Sequence, residues 1–535
     1  MKRPVALFFE TPTTITVYND KACRQYKLGT PQWKVFLEVM GNIEFIKVVY
    51  GIKDIGALFA ENGVNVQGDI VDVKVMAAYK NELLRVNTAA DIYNYYTQNL
   101  ADMPIEPFAI DTALNSIMLQ VRKTGVRIDT EELDKLIGEV EEHYYEAITR
   151  LSEYGLTAEI IKSPKQLGVA LNCLGIHSEI KTANGSESWN EAAMIRLIRY
   201  PVIRMLGEFR TYDTLLTTLR GSIKSNIKDD GRIHCVFNPV GAVTGRFSCN
   251  SPNLQSIPAR KKVFGIPYGK RVRSLFIPEE DCYFGAADYS QIEYLLLCNY
   301  ACGSQAKWLR EQALAGVDFH NVAMALTGIE SRDMVKPFNY GAIYGMGWRT
   351  ALVNNYELFS KKAEENGVTA EQYAFQLYTL YHKKFPAIKD TMAAVEKIAL
   401  KNGYVKTLGG RKIYLPPEEY NPMTGKMERP MYKMLNHLLQ GSAADIIKQS
   451  IITAYAKGVF NELTFHLTEH DELDFSIPKT RAGVDATKEL VKIMTESYKE
   501  KLKIPMKVEC DVGCNWGYWK DDLWKALLVL TEKEE

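Results

Sequence analysis

Residues 331–347 read SRDMVKPFNYGAIYGMG, and within them Arg332, Lys336, Tyr340 and Tyr344 recur every four residues. Steps of four drift only about 40° around an α-helix, so the spacing predicts one broad face carrying two cations and two phenols. A core helix would place leucines there. On the row alone two readings stand open: a solvated basic face with tyrosines closing a core, or a site for an anion beside flat rings. In the second, arginine grips a phosphate bidentately, lysine acts as a point charge, and tyrosine faces pack on a sugar or base. His320, in GVDFHNVA upstream, adds a further phosphate contact. Pro337 removes a backbone donor and disfavours helical geometry at Lys336, so a kink is expected there.

Two acidic turns supply what such a row lacks. GAADYSQIE (285–293) places Asp288 at the end of a short apolar strand. LTFHLTEHDELDFSI (463–477) alternates like a hairpin and puts Asp471 and Glu472 at its tip. Taken singly, each turn reads as a solvated loop. Brought together, the carboxylates repel unless a cation sits between them. Hard oxygen ligands in small number suit Mg²⁺, and a pair of such ions about 3.5–4 Å apart serves in-line phosphoryl transfer.

Two further stretches point to a polyanion. NPVGAVTGRFSCNSPNLQSIPARKK (238–262) surrounds Arg246 with amides suited to the near-degenerate acceptors of a minor groove. From Arg260 to Arg273 there are six bases (Arg260, Lys261, Lys262, Lys270, Arg271, Arg273) and no acid, a candidate phosphate-binding segment. The lack of a G-x-x-x-x-G-K-[ST] loop argues against an ATPase or helicase.

The chain as a whole is unexceptional. Its 535 residues predict about two to four domains. Hydrophobic content of 46% and charged content of 24% suit a soluble globular protein, and the zero net charge leaves room for a local basic cleft. The apolar run Val5–Phe9 is too short for a signal peptide and no membrane-length run occurs, so a cytoplasmic protein is expected. Nine cysteines, an odd number, read as reduced thiols. The pairs Cys298/Cys302 and Cys510/Cys514 lack the histidines that would complete a zinc site. Residues 1–100 alternate β-like and helical stretches, and 106–225 are helical, with Ser163 expected to cap a helix that closes near Gly175. RIHCVFNPV and DCYFGAAD read as strands, and 291–400 are helical again. The second half is therefore a sheet split by a long helical insertion.

DYSQIE, RDMVKPFNYGAIYG and HDE, in that order, closely resemble the three polymerase motifs of family A DNA polymerases, the bacterial DNA polymerase I class. TGRFSCNSPNLQSIP, GYVKTLGGRKIYLP, NHLLQGSAADIIK and VECDVGCNW extend the match over about residues 106 to 525. NPVGAVTGR and the short interval from His320 to Arg332 are most similar to the bacteriophage replicative branch. The resemblance implies an α+β multidomain right hand of palm, thumb and fingers, preceded by a small α/β exonuclease-like (RNase H-like) remnant. The implied units are 1–105 for the remnant, 106–232 for the thumb and connecting helices, 233–290 and 443–535 for the palm, and 291–442 for the fingers. By the same resemblance, Asp288, Asp471 and the Tyr289 carbonyl hold two Mg²⁺ ions, Mn²⁺ being able to substitute, with Glu472 nearby as a catalytic acid. Arg332, Lys336 and His320 grip the incoming triphosphate, Lys336 also giving a proton to departing pyrophosphate. Gln291 lines the nucleotide site, Tyr340 faces the sugar, Tyr344 the templating base, and Glu293 excludes a 2′-hydroxyl. Arg246, Asn253, Gln255, Arg260, Asn436, Gln440 and His470 contact the DNA. The implied partners are primer-template DNA and dNTPs, with separate replisome proteins such as an exonuclease or single-strand-binding protein. A monomer in the (host) cytoplasm is expected, with no membrane association.

The chain departs from the family pattern in places. Leu295 stands where an arginine is usual, so an ion pair supporting Glu293 is expected to be missing. The thumb segment is too short for the processivity-factor insertion of some phage members. In the first strand, VALFFETP offers Glu10 but Phe8 at the aspartate position of proofreading members, which implies a remnant without 3′–5′ exonuclease activity. A single-subunit RNA polymerase is disfavoured by Glu293 and Tyr340. A catalytically dead nucleic-acid-binding protein is disfavoured by the retained Asp288, Asp471 and cationic row.

Overall fold

The computed structural model describes residues 2–520 apart from 12, 53–63, 183, 258–267, 330–331, 344, 346, 355 and 422–424, together with 522–525 and 528. Of the side chains of 333, 334, 337, 340, 342, 343, 354, 357 and 421 nothing is described. Tyr344, Arg260, Lys261 and Lys262, and the ring of Tyr340, thus lie outside the described residues.

The first unit is a five-stranded sheet. Strands β1 (Arg3–Thr11), β2 (Thr14–Tyr18), β3 (Cys23–Lys27), β4 (Phe45–Val49) and β5 (Ile70–Asp72) lie in the order β3-β2-β1-β4-β5. β1, β4 and β5 run parallel, while β2 and β3 continue the sheet antiparallel. β1 is central because its consecutive residues Val5, Ala6 and Leu7 are buried, two facing one side of the sheet and one the other. Two described carboxylates of this unit are engaged locally. Glu10 accepts from Thr16 Oγ1 (2.5 Å) and Gln25 Nε2 (2.6 Å) at the surface. Buried Asp72 accepts from the amides of Gly51, Ile52 and Lys74, so it caps helix α1 (Val73–Lys80).

Helix α2 (Ile105–Thr124) seats this unit on the rest. Asn115 Nδ2 donates to the Ile70 carbonyl (2.9 Å) and Ser116 Oγ to that of Gly68 (3.0 Å). Across the same junction, Tyr414 Oη donates to the Tyr79 carbonyl (3.0 Å). Next comes α3 (Thr130–Ser152), opened by Asp129, whose carboxylate accepts from the Glu132 amide. Its buried Leu133, Leu136, Ile137 and Val140 recur at helical spacing and pack on α4 (Pro201–Leu216) and its extension. Between them Ser163 caps Pro164–Cys173, as its position in the sequence predicts.

The second sheet carries the acidic turns. β6 (Cys282–Tyr289) is paired on both sides, in the order β7-β8-β6-β9-β10, with β7 (Thr464–Glu469), β8 (Glu472–Pro478), β9 (Val508–Asn515) and β10 (Tyr518–Trp519) all antiparallel to their neighbours. The helical insertion between β6 and β7 includes α5 (Ile292–Tyr300), α6 (Phe319–Thr327), α7 (Arg332–Ile343), α8 (Ala370–Lys384) and α9 (Lys433–Ala456), and α10 (Arg481–Glu496) backs the sheet. One apolar core runs through sheet and helices. Gly285 is required in β6, since a Cβ there would lie 2.7 Å from Ile477 Cδ1.

Pro337, where a kink is expected, falls inside α7, which is continuous from Arg332 to Ile343. All nine cysteines are free. Among the described residues no helix is long and apolar enough to cross a membrane.

Candidate active site

The strand register brings the two acidic turns together. Asp288, the penultimate residue of β6, pairs with Glu472, the first of β8, and the Tyr289 amide donates to the Asp471 carbonyl (3.2 Å). The β7–β8 turn is only His470–Asp471, with His470 held at φ +56°. Such a conformation is costly outside glycine and persists where the surroundings impose it. Gln291, also at φ +56°, turns the chain from β6 into α5. Its amide clamps α6: Oε1 accepts from the Phe319 amide (3.1 Å) and Nε2 donates to Asp318 Oδ2 (2.9 Å).

A cavity of about 400 Å³ opens here, lined by Arg246, Asp288, Tyr289, Gln291, Ile292, Glu293, Tyr294, Phe319, His320, His470 and Asp471. Eight of these are residues that the sequence nominates. Burial and then the neighbouring carboxylates Asp471 and Glu472 push the Asp288 carboxyl well above the usual range. Burial also raises Asp471, against the partial relief of Arg246. No ion pair engages either carboxylate among the described residues, and no group of three or more His, Cys, Asp or Glu there is placed to hold a metal. What the fold does assemble is two buried carboxylates in the wall of one cavity, which Tyr289 also lines. That small set of hard oxygens fits Mg²⁺, which keeps waters and takes phosphate oxygens as further ligands.

Beside the cavity stand α6 and α7, although Arg332 and Lys336 are not among the residues that line it. Asp318 caps α6 through the amides of His320 and Asn321, and Arg332 Nη2 lies 3.4 Å from its Oδ2. Arg332 and Lys336 are exposed, and their charges add to burial in lowering the His320 pKa. The cationic row and His320 therefore share one locality. Asp318 itself was not singled out by motif, although an Asp two residues before His320 is an N-cap signal.

Glu293 is buried and paired with Arg246 (2.8 Å), so it has a partner although Leu295 is apolar and buried in the core. The expectation that the missing arginine leaves Glu293 without support is thereby corrected. Asn253 Oδ1 accepts from the Gln255 amide, and Gln255 Nε2 donates to the Thr468 carbonyl (3.0 Å), tying this loop to the catalytic hairpin. Asn436 and Gln440 sit one turn apart on α9. A Cβ on the adjacent Gly441 would lie 2.9 Å from the Thr244 carbonyl, so that helix abuts the Arg246 loop. Glu472 is off the cavity wall and accepts from Trp516 Nε1 (3.5 Å).

Two of the six bases expected to bind phosphate, Arg271 and Arg273, are engaged within the protein, while Lys270 is exposed. Arg271 pairs with Glu139 (2.6 Å), and buried Arg273 pairs with Glu469 (2.6 Å) while lying over the Trp516 ring. These two cations brace the molecule internally instead of facing an external phosphate.

The model of DNA polymerase family A matches residues 129–518. The chain belongs to DNA polymerase family A. It is 30% identical over 421 residues to DNA polymerase I of Caldicellulosiruptor bescii, an alignment covering 76% of this chain and 46% of that protein. With DNA polymerase I of Synechocystis it shares 26% identity over 558 aligned positions, 90% of this chain and 54% of the relative. The chain thus spans about half the length of the curated relatives it matches. Its fold is that of the polymerase domain of Pol1 from M. smegmatis, a structure solved with DNA primer-template and dNTP, with a TM-score of 0.76 and 23% identity over 96% of this chain and 95% of that one. The right-hand family A architecture expected from the sequence is therefore present.

Proposed function

We propose that the protein is a template-directed DNA polymerase that adds dNTPs to a primer 3′-hydroxyl. The observation that carries this reading is the cavity in which unpaired Asp288 and Asp471 face the His320 side of the cationic row. Asp288, Asp471 and the Tyr289 carbonyl would hold two Mg²⁺ ions or Mn²⁺ in their place, which when bound supply Lewis-acid stabilisation of the transferring phosphate. Arg332, Lys336 and His320 bind the triphosphate and neutralise charge as the 3′-hydroxyl attacks the α-phosphate and pyrophosphate leaves, Lys336 giving it a proton. Tyr340 packs against the sugar and Tyr344 against the template base. Arg246 holds Glu293 in place to reject a 2′-hydroxyl, and Gln291 positions α6 beside the nucleotide. Glu472 supports the carboxylate pair. Asn253, Gln255, Asn436, Gln440, His470 and Arg260 follow the DNA. In this reading 233–290 and 443–535 form the palm, 291–442 the fingers and 106–232 the thumb, and the role is phage replication by a monomer.

Residues 1–105 would be an exonuclease-like unit without proofreading, because Glu10 is exposed and Asp72 is consumed as a cap. A primed template given dNTPs, rNTPs or no nucleotide tests the whole reading. Extension is expected with dNTPs alone, and a 5′-labelled primer is expected to keep its length without nucleotide. Extension with rNTPs at a similar rate would replace the reading by an RNA polymerase, and steady 3′ shortening would overturn the loss of proofreading.

A further prediction concerns Tyr340. A phenolic hydroxyl beside the sugar can occupy the place of a missing 3′-hydroxyl, so the wild type is expected to accept ddNTPs and Tyr340→Phe to discriminate against them by at least about tenfold, roughly the value of one hydrogen bond in a buried site. Equal termination patterns in both would remove Tyr340 from the sugar.

A further inference from the structure

Behind the phosphate-facing side of the cavity lies a buried polar chain that the reaction as described does not use. Asn339 is fully buried on α7, two turns beyond Arg332 and three residues beyond Lys336, so it lies on their face of the helix. Its Nδ2 donates to the Phe319 carbonyl (3.2 Å) and lies 2.8 Å from His320 Nδ1. Its Oδ1 accepts from the Tyr381 hydroxyl on α8 (2.8 Å). Tyr381 is itself fully buried and fixed by stacking on Phe385, with ring centroids 4.8 Å apart.

The hydrogens follow from these partners. A carbonyl oxygen only accepts, so the atom facing Phe319 must be the amide nitrogen, and the flipped amide would set two oxygens against each other. An amide nitrogen only donates, so His320 Nδ1 must be its acceptor and carries no proton. The imidazole hydrogen then sits on Nε2, and His320 lines the cavity. A neutral histidine in the other tautomer would turn a lone pair, not a donor, toward a phosphate from that edge.

We propose that Asn339, anchored by Tyr381, is a positioning residue that fixes His320 as the Nε2–H tautomer, so that the ring is a standing hydrogen-bond donor to the triphosphate of the incoming nucleotide. The inference rests on the polymerase reading for the identity of the ligand, but not for the tautomer. It also couples two helices: Arg332 and Lys336 cannot shift with α7 unless the partner that sets the His320 donor shifts with them. Burial and the nearby positive charges of Arg332 and Lys336, outweighing Asp318, favour the neutral ring that the arrangement needs.

Two measurements on the full chain decide it. In ¹⁵N-histidine NMR at pH 8, with the His320 signals identified by their loss in His320→Gln, the ring is expected to show a protonated Nε2 and a bare Nδ1. In steady-state extension, Asn339→Leu is expected to raise the KM for dNTP on the order of tenfold, the scale of one hydrogen bond to a charged group, with a smaller change in kcat. In a His320→Gln background the same substitution should add less than about twofold. Tyr381→Phe, which keeps volume and packing, should raise KM by less than Asn339→Leu and leave the Nε2–H signal dominant. A protonated Nδ1 in the wild type, or fully additive effects of the His320 and Asn339 substitutions, would overturn the inference. The two readings separate cleanly. Primer extension by a chain whose His320 carries Nδ1–H sinks the tautomer alone, whereas an Nε2–H ring in a chain that extends no primer sinks the polymerase reading and leaves the tautomer standing.

Discussion

Replacing Asp288 or Asp471 by asparagine is expected to abolish primer extension, by about a thousandfold or more, and at the same time to make the metal-free protein more stable at alkaline pH. The loss follows from removing an anionic oxygen from a site that is worth several kcal/mol of transition-state stabilisation. The gain follows from the pKa values. In the unfolded chain both carboxyls titrate in the ordinary range near 4. In the fold, burial and the neighbouring carboxylates Asp471 and Glu472 push Asp288 up to about 8, and burial, against the relief of Arg246, pushes Asp471 up to about 7. Between those limits these two groups bind more protons in the folded state than in the unfolded one, so their contribution to stability falls as pH rises from about 4 to about 8 and is constant outside that window. Asparagine at either position removes part of that slope. Mg²⁺ should accordingly raise the Tm of the wild type more at pH 8 than at pH 6, and raise that of the Asp288→Asn/Asp471→Asn double variant far less. Thermal melts across pH, with and without Mg²⁺, read the second effect independently of turnover. Near-normal extension by either single variant would refute the metal assignment.

The largest effect on stability is expected at Asp111, far from the chemistry. This fully buried carboxylate accepts two bonds from Arg411 Nη2 (3.0 and 2.9 Å), one from Lys448 Nζ (2.7 Å) and one from the Tyr79 hydroxyl (2.6 Å). Burial works against its charge, but Lys448 and Arg411 outweigh burial and hold its pKa low. Lys448, also fully buried, is already pushed down to about 8 by burial and by Arg411, with Asp111 the main group opposing that. Asp111→Ala therefore takes from Lys448 its ion-pair partner and leaves Arg411 only the longer contact to Asp445 (3.7 Å). Breaking a buried ion pair from one side costs about 3–5 kcal/mol, and a comparable fall in unfolding free energy is expected in denaturant titration. Adding Lys448→Met should recover part of it, because one of the orphaned charges goes. A loss under about 1 kcal/mol for Asp111→Ala would show that the charges are compensated elsewhere.

Much of this molecule could be read from its residues because the chemistry is local in sequence. The Asp288 strand, the Asp471 hairpin and the Arg332 row each declare themselves within a dozen residues, and the hairpin appears with the turn that its alternation predicts. Ser163 as a cap was equally legible, since caps act over three residues. What escaped the sequence depends on partners far along the chain. Arg271 and Arg273 belong to a run of bases that reads as a phosphate surface, but their partners Glu139 and Glu469 are far away in the chain. Nothing near Asn339 in sequence announces Tyr381 or His320, because the contact is made by three helices packing.

The seat of the first sheet on α2 has a bearing on how such a chain changes over time. Asn115, Ser116 and Tyr414 satisfy main-chain oxygens of residues 68–79, and Tyr79 in return donates to Asp111. Residues 1–105 are thus part of the inner lining of their neighbour, whatever reaction they do or do not perform. Deleting them would uncover apolar surface and strip a donor from the ion cluster, so natural selection for polymerisation alone would preserve the segment. A segment that supplies its neighbour's hydrogen bonds in this way is retained for the fold independently of any chemistry of its own.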